Sequence, residues 1–218
     1  MGSLTTIAQA LGIAYASGIN LYATVTIVGL SSKMGWIGPL PGALGALDSW
    51  GIIGIAGALF VFEFLATMVP GVAAAWETFH SVVRPPAGAA LAVATAWHAD
   101  AFIVLAAALL GGGLALTTHV TKLGLRYAID TSPEPISNGA ANTVELGIVA
   151  TVSYFVWSYP WLALALAITA LVLMMVLVRA IWRTLRSVLA GRWMPKSGLM
   201  HEARCSFQER PTDDPDED

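Results

Sequence analysis

The sequence predicts an all-α membrane protein with about five transmembrane helices plus a re-entrant or Pro-broken helix element. Three observations support this fold class. Hydrophobic residues make up 56% of the chain and charged residues only 11%, whereas soluble domains average about 25% charged residues. The first 178 residues carry only 11 charged side chains. Apolar segments of about 20 residues, the length that crosses a bilayer, recur along this part of the chain.

The uneven charge divides the chain into two parts. Residues 1–195 are predicted to form a polytopic membrane domain, and residues 196–218 a polar, acidic and disordered cytoplasmic tail. Such a tail stays solvated because it cannot bury enough apolar surface. The nearly neutral body gives no reason to expect a nucleic-acid partner. The single cysteine, Cys205, lies in the tail, so no disulfide can form within one chain.

Five apolar segments are predicted to span the membrane. They are Leu4–Leu30, Gly51–Val69, Ala101–Val120, Gly139–Trp157 and Trp161–Arg179. The first is interrupted at Ser17-Gly18-Ile19-Asn20. Residues 71–98 form two shorter apolar pieces around Arg84-Pro85-Pro86. Because neither piece is long enough to span alone, and a residue before proline disfavours the helix, a re-entrant hairpin or broken helix is expected there.

The arginines after the last span predict the orientation. Basic residues near span ends favour the cytoplasmic side, and Arg179, Arg183 and Arg186 follow the fifth span. The C-terminus is therefore predicted to be cytoplasmic in a multi-pass protein of the cell membrane. Lys122 and Arg126 would then lie on the same side. Lys33 would too, if residues 71–98 enter and leave from the opposite face.

Charged side chains inside the apolar segments indicate a functional site, since each costs about 2.5–3.5 kcal/mol at a helix centre. Glu77, His80 and Arg84 recur at i, i+3 and i+7 and would share one helix face. A half-helix beginning at Pro86 would present its positive N-terminus beside Arg84, which suits an anion or a phosphate. In the alternative, Glu77 and Arg84 lie at the headgroup level and pair with each other or with lipid.

A second break follows at Ser132-Pro133-Glu134-Pro135, where turn and cap chemistry is the alternative explanation. Interrupted hydrophobic segments in comparable positions indicate a transporter-type site near the bilayer midplane. The predicted substrate-binding residues are Ser17, Asn20, His80, Arg84, Ser137 and Asn142. Glu63 and Glu145 are predicted to carry a coupling proton, with His80 as its relay.

Three stretches together resemble a family of small bacterial membrane proteins, the domain of unknown function 4126. They are Ala16–Tyr22, His80–Gly88 and Ser132–Asn138. The resemblance implies an integral membrane fold and no established activity. The chain departs from the family pattern at Thr67-Met68, where an acidic-Lys pair is frequent, and at Glu145-Leu146, where an acidic pair is frequent.

The predicted function is a small secondary transporter or lipid-headgroup flippase with an intramembrane site for an anionic group. Its partners would be membrane lipids and an anionic small molecule or headgroup, and homo-oligomerisation is left open. The chain lacks zinc, nucleophile-elbow and phosphate-loop motifs, so no metal, cofactor or enzyme activity is predicted. A channel or a structural membrane subunit is the alternative, and a lipid-modifying enzyme is less favoured.

Overall fold

The computed structural model describes residues 2–69, 71–130 and 135–189, and nearly all of them are helical. The helices are α1 (Ser3–Ile19), α2 (Leu21–Lys33), α3 (Trp50–Ala66), α4 (Val72–Thr95), α5 (Ala101–Asp130), α6 (Pro135–Ser158) and α7 (Pro160–Leu189). A short 3-10 helix, Gly42–Asp48, lies between α2 and α3. The described ranges contain no strand, so the predicted all-helical class is confirmed. The predicted acidic tail and the Ser132–Glu134 part of the second break lie outside the described residues.

Two of the described helices are long and apolar enough to cross a membrane, over Ala101–Tyr127 and Ile136–Ser158. The number is three if Gly42–Asp48 and Trp50–Ala66, which meet at 73°, are counted as one bent span. These helices are consistent with a membrane protein, although they number fewer than the five predicted spans. The 24 residues of α4 measure about 36 Å, but their polar side chains lower the mean hydropathy.

The bundle is apolar outside and charged inside. Side chains that are more than three fifths exposed include Ile55, Phe79, Val82, Phe102 and Leu109. Glu63, Glu77 and Arg84 are instead at most 1% exposed. Soluble proteins show the opposite distribution. Lipid is the solvent that fits such a surface, because it solvates apolar side chains and leaves charges to pair with one another.

Helices α1 and α2 form a hairpin with its tip at Asn20. Ile13 of α1 and Val28 of α2 belong to one buried apolar cluster, although a continuous helix would hold them about 22 Å apart. The open ends also lie together, since Ser3 and Pro41 line the same cavity. The start of α1 and the end of α2 therefore lie at the same end of the bundle, where α4 ends and α5 begins.

The hairpin tip explains why the chain turns back. Asn20 has extended backbone angles, and its Oδ1 accepts a hydrogen bond from the Ala23 amide at 2.9 Å. This cap satisfies a backbone group that would otherwise be unpaired in hydrocarbon. The predicted interruption at Ser17-Gly18-Ile19-Asn20 is thus confirmed, but a hairpin replaces the predicted span over Leu4–Leu30. Lys33 lies at the open end of the hairpin beside Trp50, whereas Lys122 bonds the tip, so the structure places the two lysines at opposite ends of the hairpin.

The predicted break in the 71–98 segment is wrong, because α4 continues through Pro85 and Pro86. The two prolines remove the amides that would bond to the carbonyls four residues earlier. Neighbouring helices hold the segment together: Gly88 approaches Ala115 of α5 so closely that a Cβ would not fit, and Arg84 bonds to α3. Membrane helices tolerate proline under such support. No half-helix therefore starts at Pro86 to bind an anion.

Candidate functional site

Six charged side chains meet inside the bundle and are called the charge cluster below. They are Glu63 of α3, Glu77 and Arg84 of α4, Lys122 and Arg126 of α5, and Glu145 of α6. The cluster holds six of the 11 charges in the first 178 residues. Three carboxylates face three cations, so its formal charge is zero when all six are ionised.

Arg84 joins α3 to α4 at one end of the cluster. Its Nη2 lies 2.5 Å from Glu63 Oε1 and its Nη1 lies 2.6 Å from Glu77 Oε2. The side chain of Arg84 is 0% exposed. The predicted i, i+7 spacing of Glu77 and Arg84 does place both on one buried face of α4. Ionised groups that lie away from water are stabilised by such pairing with opposite charges.

Lys122 joins three elements at the centre of the cluster. Its Nζ lies 2.6 Å from Glu77 Oε1 and 2.9 Å from Glu145 Oε2. It also donates a hydrogen bond to the Ile19 carbonyl at 2.8 Å. This carbonyl lies at the end of α1, next to Asn20. Lys122 therefore connects the charges of α4 and α6 to the tip of the hairpin.

Arg126 and Asn142 complete the other end of the cluster. Arg126 Nη2 lies 2.9 Å from Glu145 Oε1 and also donates to Asn142 Oδ1. Asn142 Nδ2 donates to the Phe64 carbonyl at 3.1 Å and to Thr67 Oγ1 at 3.0 Å. Asn142 thereby ties α6 to the end of α3. From Glu63 to Arg126 the carboxylates and cations alternate in one continuous series.

His119 lies beside Arg84, and its contacts indicate that its imidazole is neutral. Its Nδ1 is 2.9 Å from Arg84 Nη1, and it must accept this bond because a guanidinium only donates. Its Nε2 is 3.0 Å from the Glu77 carbonyl oxygen, which only accepts. The two contacts together define a neutral imidazole with its proton on Nε2.

His80 makes its hydrogen bonds to residues outside the charge cluster. Its Nδ1 donates to the Trp76 carbonyl at 2.8 Å, so in the neutral ring Nε2 accepts from the Tyr22 hydroxyl at 3.2 Å. The Trp76 and Phe79 rings flank the imidazole, with centroids 4.6 and 5.3 Å away. His80 therefore connects α4 to the hairpin instead of bridging Glu63 and Glu145.

The structure brings only part of the predicted site together. Arg84, Asn142, Glu63 and Glu145 meet in or against the charge cluster, and Asn20 adjoins it through the Ile19 carbonyl. Two predicted serines lie elsewhere. Ser17 Oγ donates to the Ala14 carbonyl at 2.8 Å, where α1 crosses Gly88. Ser137 is half-buried in the first turn of α6, and the described contacts do not connect it to the cluster.

Sequence reasoning missed His119, Lys122 and Arg126 as site residues. The predicted span Ala101–Val120 ends before Lys122 and Arg126, which places both cations at the membrane surface. Instead α5 continues to Asp130 and buries both. A signal was present, because His119, Lys122 and Arg126 repeat the i, i+3, i+7 spacing of Glu77, His80 and Arg84. Two such faces predict two helices that pack through polar side chains.

The cluster retains unused hydrogen-bonding capacity. Within the described ranges, Glu63 Oε2 and Arg84 Nε are buried and have no hydrogen-bond partner. Unpaired polar atoms in an apolar environment cost free energy, which favours a rearrangement or a ligand that pairs them. No group of three or more His, Cys, Asp or Glu side chains in this part of the chain could hold a metal ion. The carboxylates face cations instead.

A helical bundle with an apolar surface and a charge-balanced interior is characteristic of polytopic α-helical membrane proteins. The chain belongs to the family described as Domain of unknown function (DUF4126), whose model matches residues 7–180. No curated protein and no solved structure matches the sequence. The matched range includes all six residues of the charge cluster, which is therefore a feature of the family domain in this chain.

Proposed function

We propose that the protein is a small proton-coupled membrane transporter for an anionic group, carried by a small molecule or a lipid headgroup. The observation that supports this function most is the charge cluster itself. Six ionisable side chains lie in the interior of a bundle whose surface suits lipid, at a cost that marks such residues as functional candidates. Their charges cancel, so any bound anion needs a compensating positive charge.

The proton would supply that charge. Both Nη atoms of Arg84 already bond carboxylates, so an anion that binds these two atoms must replace a carboxylate. A proton on Glu63 Oε2, the oxygen without a partner, would neutralise that carboxyl group and weaken its bond to Arg84, since hydrogen bonds between ionised groups are about twice as strong as neutral ones. The freed guanidinium could then bind the anion, and the buried charge would remain zero.

Glu145 offers an equivalent exchange at the other end of the cluster. Its side chain is 16% exposed, against at most 6% for Arg84, Lys122 and Glu63. It contacts both Lys122 and Arg126, so its protonation would remove one carboxylate partner from each cation. Glu145 is therefore the proposed entry point for protons, and Glu63 is the proposed switch at Arg84.

We also propose five spans formed by α3 to α7 and a re-entrant hairpin formed by α1 and α2. The supporting observation is that both open ends of the hairpin lie with the end of α4, where Gly42 approaches Ala94 and Trp97. The re-entrant element is then the N-terminal hairpin instead of residues 71–98. Arginines after residue 178 favour a cytoplasmic C-terminus, which makes the hairpin enter from the outer side.

Cysteine labelling in intact cells tests this topology. In a Cys205→Ser background, we expect Gly2→Cys and Gly38→Cys to react with the same membrane-impermeant maleimide from outside, because both ends of the hairpin lie on one side. Val69→Cys, at the α3–α4 connection, should react only after the membrane is permeabilised. Opposite accessibility of Gly2→Cys and Gly38→Cys would show that residues 4–30 cross the membrane and would contradict the hairpin topology.

Transport itself is tested in liposomes that contain a pH-sensitive dye. We expect external inorganic phosphate or glycerol phosphate to drive proton uptake into liposomes that hold the wild-type protein. Glu63→Gln should reduce this uptake at least tenfold, because the amide is nearly isosteric but cannot carry the proton. Asp48→Asn, which changes a carboxylate outside the cluster, is the matched control and should keep the wild-type rate. Equal rates for the two variants would exclude Glu63 as the proton carrier.

A structural membrane subunit is the second candidate, and the completeness of the ion pairing favours it. Two cavities of about 350 and 390 Å³ lie away from the charge cluster. In a structural subunit the cluster would only hold helices together. Glu63→Gln would then lower the stability of the folded protein, and neither inorganic phosphate nor glycerol phosphate would drive proton uptake.

A further inference from the structure

An apolar groove of about 390 Å³ runs between α2 and α6 on the surface of the bundle. Ile27, Val28 and Ala150 line its inner part, and Ser31 and Trp36 line the part toward the open end of the hairpin. Trp36 is 70% exposed, and tryptophan is enriched at the level of lipid headgroups. The groove therefore extends from the membrane interface into the hydrocarbon region.

Two residues of α6 carry hydrogen-bond donors in or next to this groove: Ser153 lines it, and Trp157 packs against the buried apolar cluster that contains the groove residue Val28. Ser153 lines the groove and is only 4% exposed. Within the part of the chain that the structure describes, neither its Oγ nor Trp157 Nε1 has a hydrogen-bond partner, and both atoms are buried. The two residues are four apart, so they share one face of α6. Thr151, by contrast, bonds its hydroxyl to the Gly147 carbonyl at 2.8 Å.

These donors specify the chemistry of an occupant. In hydrocarbon an unpaired donor costs free energy, and the methylene groups of an acyl chain cannot accept its hydrogen bond. An ester carbonyl can accept it. Trp157 comes one residue before the end of α6, so the donors lie near the interface, where the ester groups of a lipid join its headgroup to its chains.

We propose that the groove binds a diacyl glycerophospholipid whose ester carbonyl accepts hydrogen bonds from Ser153 Oγ and Trp157 Nε1. One acyl chain would lie against Ile27, Val28 and Ala150. This site goes beyond the proposed transport and does not depend on it, because none of these residues belongs to the charge cluster. It would hold a lipid between α2 of the hairpin and α6.

Native mass spectrometry of the delipidated protein tests the site with two lipids. The probes are a diester and a diether phosphatidylethanolamine with the same headgroup and chain length. We expect the wild-type protein to bind the diester about tenfold more tightly, as one or two net hydrogen bonds imply. Ser153→Ala and Trp157→Phe should reduce this preference, and the double variant should lose it. Thr151→Val, on the same helix, should keep it.

A further variant tests the contribution of the groove independently of the two donors. Ala150→Phe fills the groove and keeps both donors, and we expect it to weaken binding of both lipids at this site. Equal affinity of the wild-type protein for the diester and the diether would overturn the proposal. An unchanged preference in the Ser153→Ala, Trp157→Phe double variant would overturn it as well.

Discussion

Arg84→Leu is expected to lower the free energy of unfolding by about 3–5 kcal/mol, the cost of breaking a buried ion pair by removing one partner. The substitution removes the 2.5 Å partner of the Glu63 carboxylate, which keeps the longer contact to Lys122 Nζ at 3.6 Å, and it removes one of the cations beside Glu77. An arginine that faced an empty binding site could be replaced without such a loss. Unfolding by denaturing detergent in mixed micelles measures the difference.

Two further variants make this result specific. Arg84→Leu combined with Glu63→Leu should recover part of the stability, because Glu77 keeps its contact with Lys122 and no carboxylate is left without a cation. Arg183→Leu, on an exposed part of α7, is the control for the loss of an arginine. If Arg84→Leu were as stable as Arg183→Leu, the ion pairs of Arg84 would contribute nothing measurable, and the charge cluster would not exist as described.

Lys122→Met should release the tip of the N-terminal hairpin. Lys122 is the side chain that donates to the Ile19 carbonyl, and a hydrogen bond from a charged group is worth about 1.5–3 kcal/mol. We expect amide hydrogen exchange in residues 17–22 to rise at least tenfold, since 1.4 kcal/mol corresponds to a factor of ten. Methionine keeps the length of the side chain, so the packing around it should change little.

Lys33→Met is the matched control for this experiment. Lys33 ends α2 at the open end of the hairpin, with its Nζ 5.9 Å from the centre of the Trp50 ring. Its loss should leave exchange at the tip unchanged. If both variants protected residues 17–22 as well as the wild-type protein does, the tip would be held by packing alone and Lys122 would not couple it to the charges.

The sequence was sufficient to predict the membrane class, the helical content and four members of the polar site. These predictions depend on local properties. Apolar length predicts a helix in lipid, and the i, i+7 spacing of Glu77 and Arg84 predicts a shared face in any straight helix. The interruption before Leu21 was also predictable, because a glycine and an asparagine disrupt an otherwise apolar run.

The remaining features of the fold and the site depend on contacts between segments that are distant in sequence. Whether Pro85 and Pro86 break α4 is decided by Arg84 and Gly88, which bind α3 and α5 and hold the helix together. Whether the chain continues or turns back at Asn20 depends on a cap and on Lys122, which is 103 positions from Ile19 in sequence. The burial of Lys122 and Arg126 follows from the carboxylates of three other helices. No local pattern contains those partners.

If the charge cluster takes up a proton with each negative charge that it binds, as proposed, transport should be electroneutral. The most direct measurement is anion-driven proton uptake in liposomes while a potassium gradient and valinomycin impose membrane potentials of either sign. The proposed exchange at Glu63 and Arg84 predicts uptake at the same rate under both potentials. Two results would contradict the proposed exchange. One is uptake that follows the sign of the potential, and the other is folded wild-type protein that shows no uptake with inorganic phosphate or glycerol phosphate.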